Sequence, residues 1–155
     1  DDALPAALAG AIERQRAAPT PPLYIDHCDT NYFHVRARLL IEPAHAARAD
    51  AIRAAARSAL ADAFGFASRA LGQSLASSDI IRVLQALEGV AAVEIGALYL
   101  RGHAPTPGVG SQNPNAADVL LEARPTRLDG ARILPAQLLL INASADDGIV
   151  LETSV

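Results

Sequence analysis

The sequence contains no tryptophan, no methionine and no lysine, and only 4% of its 155 residues are aromatic. With so few bulky residues, a core has to be built from leucine, isoleucine, valine and alanine, which supply most of the 51% hydrophobic content. A chain of this length can bury such a core as one domain without disulfide or metal staples. The single cysteine, Cys28, excludes an internal disulfide and fits a reducing compartment.

Long apolar runs and clusters of positive charge are also missing. No stretch approaches the ~20 apolar residues of a membrane-spanning helix, and no signal peptide opens the chain. The net charge is −4, and the 13 basic residues, all arginine, are spaced singly. This pattern argues against nucleic acid as a partner. A start at Asp1-Asp2 without methionine is typical of an excised piece or a processed product, and we expect a soluble chain.

The N-terminal part differs in composition from the rest. Ala3–Ala17 predicts a helix that carries Leu4, Leu8, Ala11 and Ile12 on one face. The proline-rich sequence AAPTPP that follows predicts a stiff connector. We interpret residues 1–20 as a helix and connector and residues 21–155 as a single domain; whether the helix belongs to the core is left open.

The first strands are predicted from turn chemistry and from alternation. Leu23–Cys28 is expected to form a short strand, with a turn at 29–31, and Tyr32–Ile41 alternates with period two. The two strands together predict a hairpin. One face of the second strand is apolar, formed by Phe33, Val35, Ala37, Leu39 and Ile41. The opposite face carries His34, Arg36 and Arg38 and is expected to be wet or covered by a partner.

Two helices and a strand follow. Ala46–Phe64 predicts a helix with Gly65 as its C-terminal cap. The next helix is expected to be capped by Ser77 or Ser78, with Asp79 in its first turn, and to end at Gly89. The apolar stripes of the two helices are Ile52, Ala56, Ala59, Leu60 and Ala63 in the first, and Ile80, Val83, Leu84 and Leu87 in the second. The predicted strand Val90–Leu100 places Val93, Ile95, Ala97 and Tyr99 on one face.

The last third of the chain predicts a loop and closing strands. Residues 102–116, rich in proline, glycine and asparagine, predict an exposed, mobile loop. Val119–Ala123 is a candidate late-pairing strand. Leu138–Ile141 and Ile149–Thr153 flank an Asp-Asp-Gly turn signal and predict a terminal hairpin. The fold class expected is α+β, in two layers, with two main helices on one face of a mixed sheet and an extra N-terminal helix.

One cluster has the residue types of a metal or nucleophile site: Asp26, His27, Cys28, Asp29 and His34. A hairpin would bring His27 and His34 together, and these ligand types suit zinc. However, His27 and Cys28 are neighbours on a predicted strand and would point to opposite faces, which also argues against a Cys–His catalytic pair. We therefore predict no metal, no cofactor and no enzymatic activity.

The loop between the two main helices admits two interpretations. Arg69 and Gln73 flank Leu71-Gly72, and a loop of this kind can present a contact surface to a partner. It can equally be structural, with Gly72 at a positive φ and Leu71 anchored in the core. The residues alone leave both interpretations open.

The order of several blocks resembles a known family. The most specific blocks are F-x-x-R-x-L-G-Q at Phe66–Gln73 and S-x-I-x-x-x-L-Q-x-x-x-G-V at Ser78–Val90. They follow the strand FHVRARLLIEP and precede PAQLLLINASADDGIVL. Together these blocks resemble the C-terminal part of baseplate assembly proteins related to the baseplate J-like family of contractile phage tails and phage-tail-like injection systems. The resemblance covers roughly Leu23–Leu151, and Pro135–Leu139 departs from it by lacking a glutamate before the leucines.

This resemblance implies a wedge-type structural subunit that assembles in the cytoplasm and then forms part of a tail or tail-like particle. The implied partners are other baseplate subunits, sheath proteins and spike or hub proteins, and the chain would be oligomeric within the particle. No catalytic residue is carried over. The candidate protein-contact residues are Arg69, Gln73, His34, Arg36 and Arg38.

Two other functions remain as alternatives. One is a small-molecule-binding α+β regulatory domain of a larger protein, which would need a pocket. The other is a metal-dependent hydrolase that uses His27 and His34, which would carry stoichiometric metal.

Overall fold

The longest strand, β1 (Asp29–Ile41), is the one on which the sheet assembles. The computed structural model describes residues 3–16, 25–103, 120–130, 132–143 and 148–155. The helices in these ranges are α1 (Ala3–Glu13), α2 (Ala49–Ala63) and α3 (Ser77–Gln85), with 3-10 turns at Pro43–Arg48 and Phe66–Ser68. The other strands are β2 (Leu75–Ala76), β3 (Val90–Leu100), β4 (Leu120–Leu121), β5 (Arg127–Asp129), β6 (Arg132–Leu134), β7 (Gln137–Ile141) and β8 (Ile149–Ser154). The chain is α+β, as predicted.

The predicted turn at 29–31 is wrong, because these residues form the start of β1. Residues Asp29–Phe33 pair in parallel with β7, so their backbone groups are used in a ladder. The side chains of Asp29 and Thr30 remain exposed, which lets polar residues occupy a strand. Residues 25–28 have no regular structure, so this part of the predicted strand Leu23–Cys28, and with it the predicted hairpin, is wrong; residues 23 and 24 lie outside the described residues.

The predicted terminal hairpin is also wrong, although its two strands are present. β7 pairs with residues 29–33 of β1 and β8 with residues 35–40, and both run parallel to β1. They are successive segments along one edge of β1, whose other edge pairs antiparallel with β3. The Asp-Asp-Gly signal thus marks an interruption after which the chain resumes its direction.

Two backbone hydrogen bonds hold the ends of this interruption against β1. The Asn142 N–H donates to the Phe33 carbonyl at 3.2 Å, and the Val35 N–H donates to the Gly148 carbonyl at 2.9 Å. A Cβ at position 148 would overlap the Asn142 carbonyl oxygen. Glycine is therefore required where the chain rejoins the sheet.

A cluster of buried apolar side chains joins β1 to α2 and α3. The apolar face of β1 predicted above is buried throughout. The helices contribute side chains at helical spacing, namely Ile52, Ala56 and Leu60 from α2 and Ile80 and Leu84 from α3. Small residues in the α2 stripe let the helix approach closely, and the core holds two aromatic side chains, Phe33 and Phe64.

β3 matches its predicted span, but its faces switch at a β-bulge. Ala97 pairs with Arg36 and Ile95 with Ala37, which leaves Gly96 as an extra residue. Leu98, two residues after the bulge, is therefore in the core, and Ala97 and Tyr99 are not part of the face that holds Ile95. The predicted common face of these residues is wrong for this reason.

The helix ends also differ from the prediction. Gly65 has φ −80°, so it is not a left-handed cap; a Cβ there would lie 2.6 Å from the Ala61 carbonyl oxygen. The N-cap of α3 is Ala76, and the Asp79 carboxylate accepts from its N–H at 3.1 Å. Ser77 is a buried residue of the first turn, and Gly89 lies beyond the helix end, with φ +88°.

The remaining predictions fall partly outside the described residues. The N-terminal helix is present as α1, and none of its residues is buried. Leu120–Leu121 pairs with Leu75–Ala76, which confirms a late-pairing strand within residues 119–123. The connector and most of the loop at 102–116 lie outside the described residues. Across the described ranges, no helix combines the length and apolarity needed to cross a membrane.

Candidate functional site

The segment between α2 and α3, residues 64–76 and here called the α2–α3 loop, runs along the outer edge of β7. The Ile141 N–H donates to the Phe64 carbonyl at 3.1 Å. The Gly72 N–H donates to the Gln137 carbonyl at 2.7 Å. β1 occupies the opposite edge of β7. The loop therefore satisfies backbone groups that would otherwise leave β7 as an open edge.

Arg69 completes this covering of the edge. Its Nε donates to the Leu139 carbonyl at 3.3 Å, and its Nη2 donates to the carbonyls of Gln73 at 2.5 Å and Ser74 at 3.1 Å. Its guanidinium carbon lies 6.0 Å from the centre of the Phe64 ring. Burial lowers the pKa of Arg69, while the Asp79 carboxylate acts in the opposite direction. A guanidinium stays protonated at neutral pH, so three backbone oxygens contact one cation.

Gln73 closes the turn at the tip of the loop. Its Oε1 accepts from the Ala70 N–H at 3.0 Å, and its own N–H donates to the Ala70 carbonyl at 3.3 Å. Gly72 has φ +71°, and a Cβ there would lie 2.9 Å from Pro125 Cα. The positive φ predicted for Gly72 is confirmed.

The loop exposes two large apolar side chains beside the polar Ser68 and Gln73. Leu71 is 58% exposed, so its predicted role as a core anchor is wrong, and Phe66 is 76% exposed. Arg69 and Gln73 are brought together, but Arg69 bonds to backbone carbonyls of the loop and of β7, and Gln73 Oε1 accepts from the Ala70 N–H. Sequence reasoning did not select Phe66; the available signal was a large aromatic side chain in a segment with no helical periodicity.

A short hairpin, β5–β6, stands next to this loop. The Gln137 N–H donates to the Arg124 carbonyl at 2.8 Å, and the Arg124 N–H donates to Gln137 Oε1 at 3.0 Å. Pro125 contacts Gly72, and at most about 10 Å of extended chain separates Pro125 from Leu128. Leu128 is 72% exposed.

We call this end of the domain the loop–hairpin surface. It is defined by the exposed apolar residues Phe66, Leu71 and Leu128 and the exposed arginines Arg124, Arg127 and Arg132. Large exposed apolar side chains with a polar rim are typical of protein–protein contact sites.

The polar face of β1 divides into two parts. Arg36 and Arg38 are exposed, as predicted, and Arg38 lies 3.4 Å from Glu94 and 3.6 Å from Glu152. His34, in contrast, is 4% exposed, so the prediction that it lies on a wet surface is wrong. The β-bulge in β3 is the physical reason, since it brings Tyr99 opposite His34.

Among the described residues, Tyr99 and Asn142 contact His34. The Tyr99 ring centre lies 5.3 Å from the centre of the imidazole. Asn142 Nδ2 lies 3.4 Å from His34 Nε2. This leaves Arg36 and Arg38 as the accessible candidates on the polar face.

Other candidate sites are small or dispersed. In the part of the chain that the structure describes, no group of three or more His, Cys, Asp or Glu side chains is placed to hold a metal ion. A cleft of about 160 Å³ lies beside α2 and the turn before β3. Its lining residues are Arg48, Ala51, Ile52, Ala55, Leu87 and Glu88.

Comparison of the chain with protein-family models, curated proteins and solved structures finds no match.

Proposed function

We propose that this chain is a wedge-type structural subunit of the baseplate of a contractile phage tail or a phage-tail-like injection system, and that it acts by protein–protein assembly. The observation that carries the proposal is the α2–α3 loop, whose polar groups bond inward while Phe66 and Leu71 point to solvent. This loop contains the F-x-x-R-x-L-G-Q block on which the family resemblance chiefly rests. Each residue that the block specifies either fixes the conformation of the loop or forms its exposed apolar surface.

The loop has the features that favour binding. Its conformation is fixed by backbone hydrogen bonds to β7 and by the guanidinium of Arg69, so little conformational freedom remains to be lost on association. An exposed aromatic ring such as that of Phe66 is a frequent anchor of protein interfaces. The arginines of the adjacent hairpin provide a charged rim.

The polar face of the sheet is a second proposed contact. Arg38 already bridges Glu94 and Glu152 across three strands, which fixes its position, and Arg36 is exposed beside it. Exposed ion pairs of this kind contribute little stability, typically ~0–1 kcal/mol. Their arrangement is more useful for selecting a partner of complementary charge.

The small-molecule alternative is less well supported by the described residues. Pockets for small ligands usually measure about 300–1,000 Å³. The cleft beside α2 measures about 160 Å³. A protein-contact function fits the exposed apolar side chains better.

Purification from the native source tests the proposal. We expect the tagged full-length protein to co-purify with sheath, spike and other baseplate subunits, identified by mass spectrometry, and to occur in particles seen by electron microscopy. A tagged cytoplasmic protein of similar abundance serves as the control. Recovery of a lone protein with a stoichiometric small molecule or metal would contradict the proposal.

A further inference from the structure

The dipeptide Asp-Gly occurs twice in the chain, at 129–130 and at 147–148. In such a pair the main-chain nitrogen of the glycine readily attacks the preceding side-chain carboxyl, because glycine has no Cβ to obstruct the approach. The reaction also requires the main chain at the pair to rotate out of its folded conformation. The surroundings of the two glycines therefore decide which pair reacts in the folded protein.

The first pair lies at the tip of the β5–β6 hairpin. Asp129 is the last residue of β5 and pairs with Arg132. Gly130 has φ +59°, and within the described ranges a Cβ on it would have no heavy atom within 4 Å. Asp129 and Gly130 are both exposed, so rotation of the main chain meets no packed neighbour and water reaches the site.

The hairpin can open without disturbing the core. β5 and β6 have three residues each, and among the described strands they pair only with each other. All three residues of β5 are exposed. A two-stranded hairpin is at best marginally stable in water, and such segments open at a small cost in free energy. The Gly130 nitrogen and the Asp129 carboxyl therefore have ready access to the reactive conformation.

The second glycine is held in the sheet. The Gly148 carbonyl accepts a hydrogen bond from the Val35 N–H at 2.9 Å, and a Cβ at position 148 would overlap the Asn142 carbonyl oxygen. The following residue, Ile149, is fully buried and pairs with Val35. Rotation of the main chain at Gly148 would disrupt the start of β8, which costs far more free energy than opening the hairpin.

We propose that Asp129 is a site of spontaneous isomerisation to isoaspartate, and that the fold suppresses the same reaction at Asp147. The Gly130 nitrogen forms a bond to Asp129 Cγ, and the carboxyl OH leaves with the amide proton as water, which closes a succinimide ring. Water then adds to one of the two ring carbonyls. Opening of the Cγ–N bond restores aspartate, and opening of the bond between nitrogen and the α-carbonyl carbon gives isoaspartate. No oxidant, reductant or further reactant is needed.

Isomerisation would alter the loop–hairpin surface. In isoaspartate the main chain runs through Cβ and Cγ, so one carbon is added to it before Gly130, and the α-carboxylate becomes the side group. The register of a hairpin depends on the length of its turn, so the pairing of Asp129 with Arg132 would be lost. Leu128 would then leave its position beside the α2–α3 loop. The reaction takes place in the free chain and does not depend on the proposed function.

Peptide analysis of the incubated full chain tests the proposal. The folded chain and the chain unfolded in guanidinium chloride are kept at neutral pH and then digested with trypsin, which releases residues 128–132 and 133–155 as separate peptides. Isoaspartate leaves the mass of a peptide unchanged, shifts its chromatographic elution and makes it a methyl acceptor for an isoaspartyl methyltransferase. In the folded chain we expect isoaspartate to accumulate about ten-fold faster in 128–132 than in 133–155. In the unfolded chain the two rates should agree within about two-fold, because the protection by the sheet is gone.

Asp129→Glu provides the matched variant, because a glutamate has to close a larger ring, which forms much more slowly. The substitution keeps the charge at an exposed position, so the variant should fold like wild type. Its peptide 128–132 should accept no methyl groups, while 133–155 reacts at the wild-type rate. The proposal is overturned if, in the folded chain, 128–132 gains isoaspartate no faster than 133–155, or if the Asp129→Glu peptide still accepts methyl groups. Neither result bears on the co-purification that tests the proposed function.

Discussion

The guanidinium of Arg69 donates hydrogen bonds to the carbonyls of Leu139, Gln73 and Ser74, and thereby acts as an edge cover for β7. A backbone carbonyl that is removed from water without a partner costs about 1–3 kcal/mol. Arg57 has a similar role at β8, where its Nη2 donates to the Ile149 carbonyl at 2.6 Å. Two arginines that the sequence presents as charged surface residues thus bond to the backbone of the sheet.

Replacing Arg69 with alanine should lower the free energy of unfolding by about 2–3 kcal/mol, because several carbonyls lose their donor. The free energy of unfolding of Arg69→Lys should lie between those of the wild type and of Arg69→Ala, since an ammonium lacks the planar fork of donors. Urea denaturation of both variants provides the measurement. Arg127→Ala, at an exposed position of the hairpin, is the control and should stay within ~0.5 kcal/mol of wild type. Equal losses in Arg69→Ala and Arg127→Ala would contradict this role.

Gly148 gives a second prediction at the scale of one residue. Gly148→Ala should destabilise the protein by more than about 2 kcal/mol, because the new Cβ overlaps the Asn142 carbonyl oxygen and disturbs the start of β8 on β1. Gly10→Ala is the matched control, since a Cβ on Gly10 meets only Arg14 Nη1, at 3.8 Å. Thermal unfolding of the two variants should differ clearly; similar melting temperatures would show that the close approach at Gly148 is absent.

At the scale of elements, the local sequence pattern predicted the positions of the strands better than their pairing. Alternation located the core face of β1, the helix end at Gly89 located the start of β3, and an apolar run before a turn signal located β7. Pairing depends on contacts between residues far apart in sequence, and the Asp-Asp-Gly signal does not distinguish a hairpin from an interrupted strand. The bulge at Gly96 is equally non-local, since it depends on the register of β3 against β1.

For the candidate contact site, too, the sequence predicted the location better than the contacts. Arg69 and Gln73 were selected because of their position in a loop, and the structure does place them together. Which atoms face solvent depends on the carbonyls of β7, which lie about 70 residues further along the chain. This explains why polar Arg69 turns inward and apolar Leu71 turns outward, the reverse of what residue type suggests.

Two substitutions at the start of α3 distinguish the predicted N-cap from the observed one. Asp79→Ala should lower stability by about 1 kcal/mol, because the Ala76 N–H loses its acceptor. Ser77→Ala should be neutral or stabilising, because the buried Ser77 hydroxyl has no hydrogen-bond partner among the described residues. Chemical denaturation compares the two. If Ser77, one of the two caps that the sequence suggested, were the cap, its substitution would cause the larger loss.

At the scale of the whole molecule, the apolar side chains fall into a buried set and an exposed set. Leucine, isoleucine, valine and alanine, together with Phe33 and Phe64, fill the core between β1 and the helices without tryptophan or methionine. The large exposed side chains include those of Leu4, Leu8 and Ile12 on α1 and those of the loop–hairpin surface. A chain with this distribution is expected to be stable as a folded domain and to bury further surface on assembly.

Incorporation of a loop variant into native particles tests the central claim most directly. The protein with Phe66→Ser and Leu71→Ser should fold with wild-type stability, since both side chains are exposed, but its recovery in purified particles should fall at least ten-fold. Val155→Ser, another exposed apolar position, should be incorporated normally. Wild-type incorporation of the loop variant would contradict the claim that the α2–α3 loop is an assembly contact.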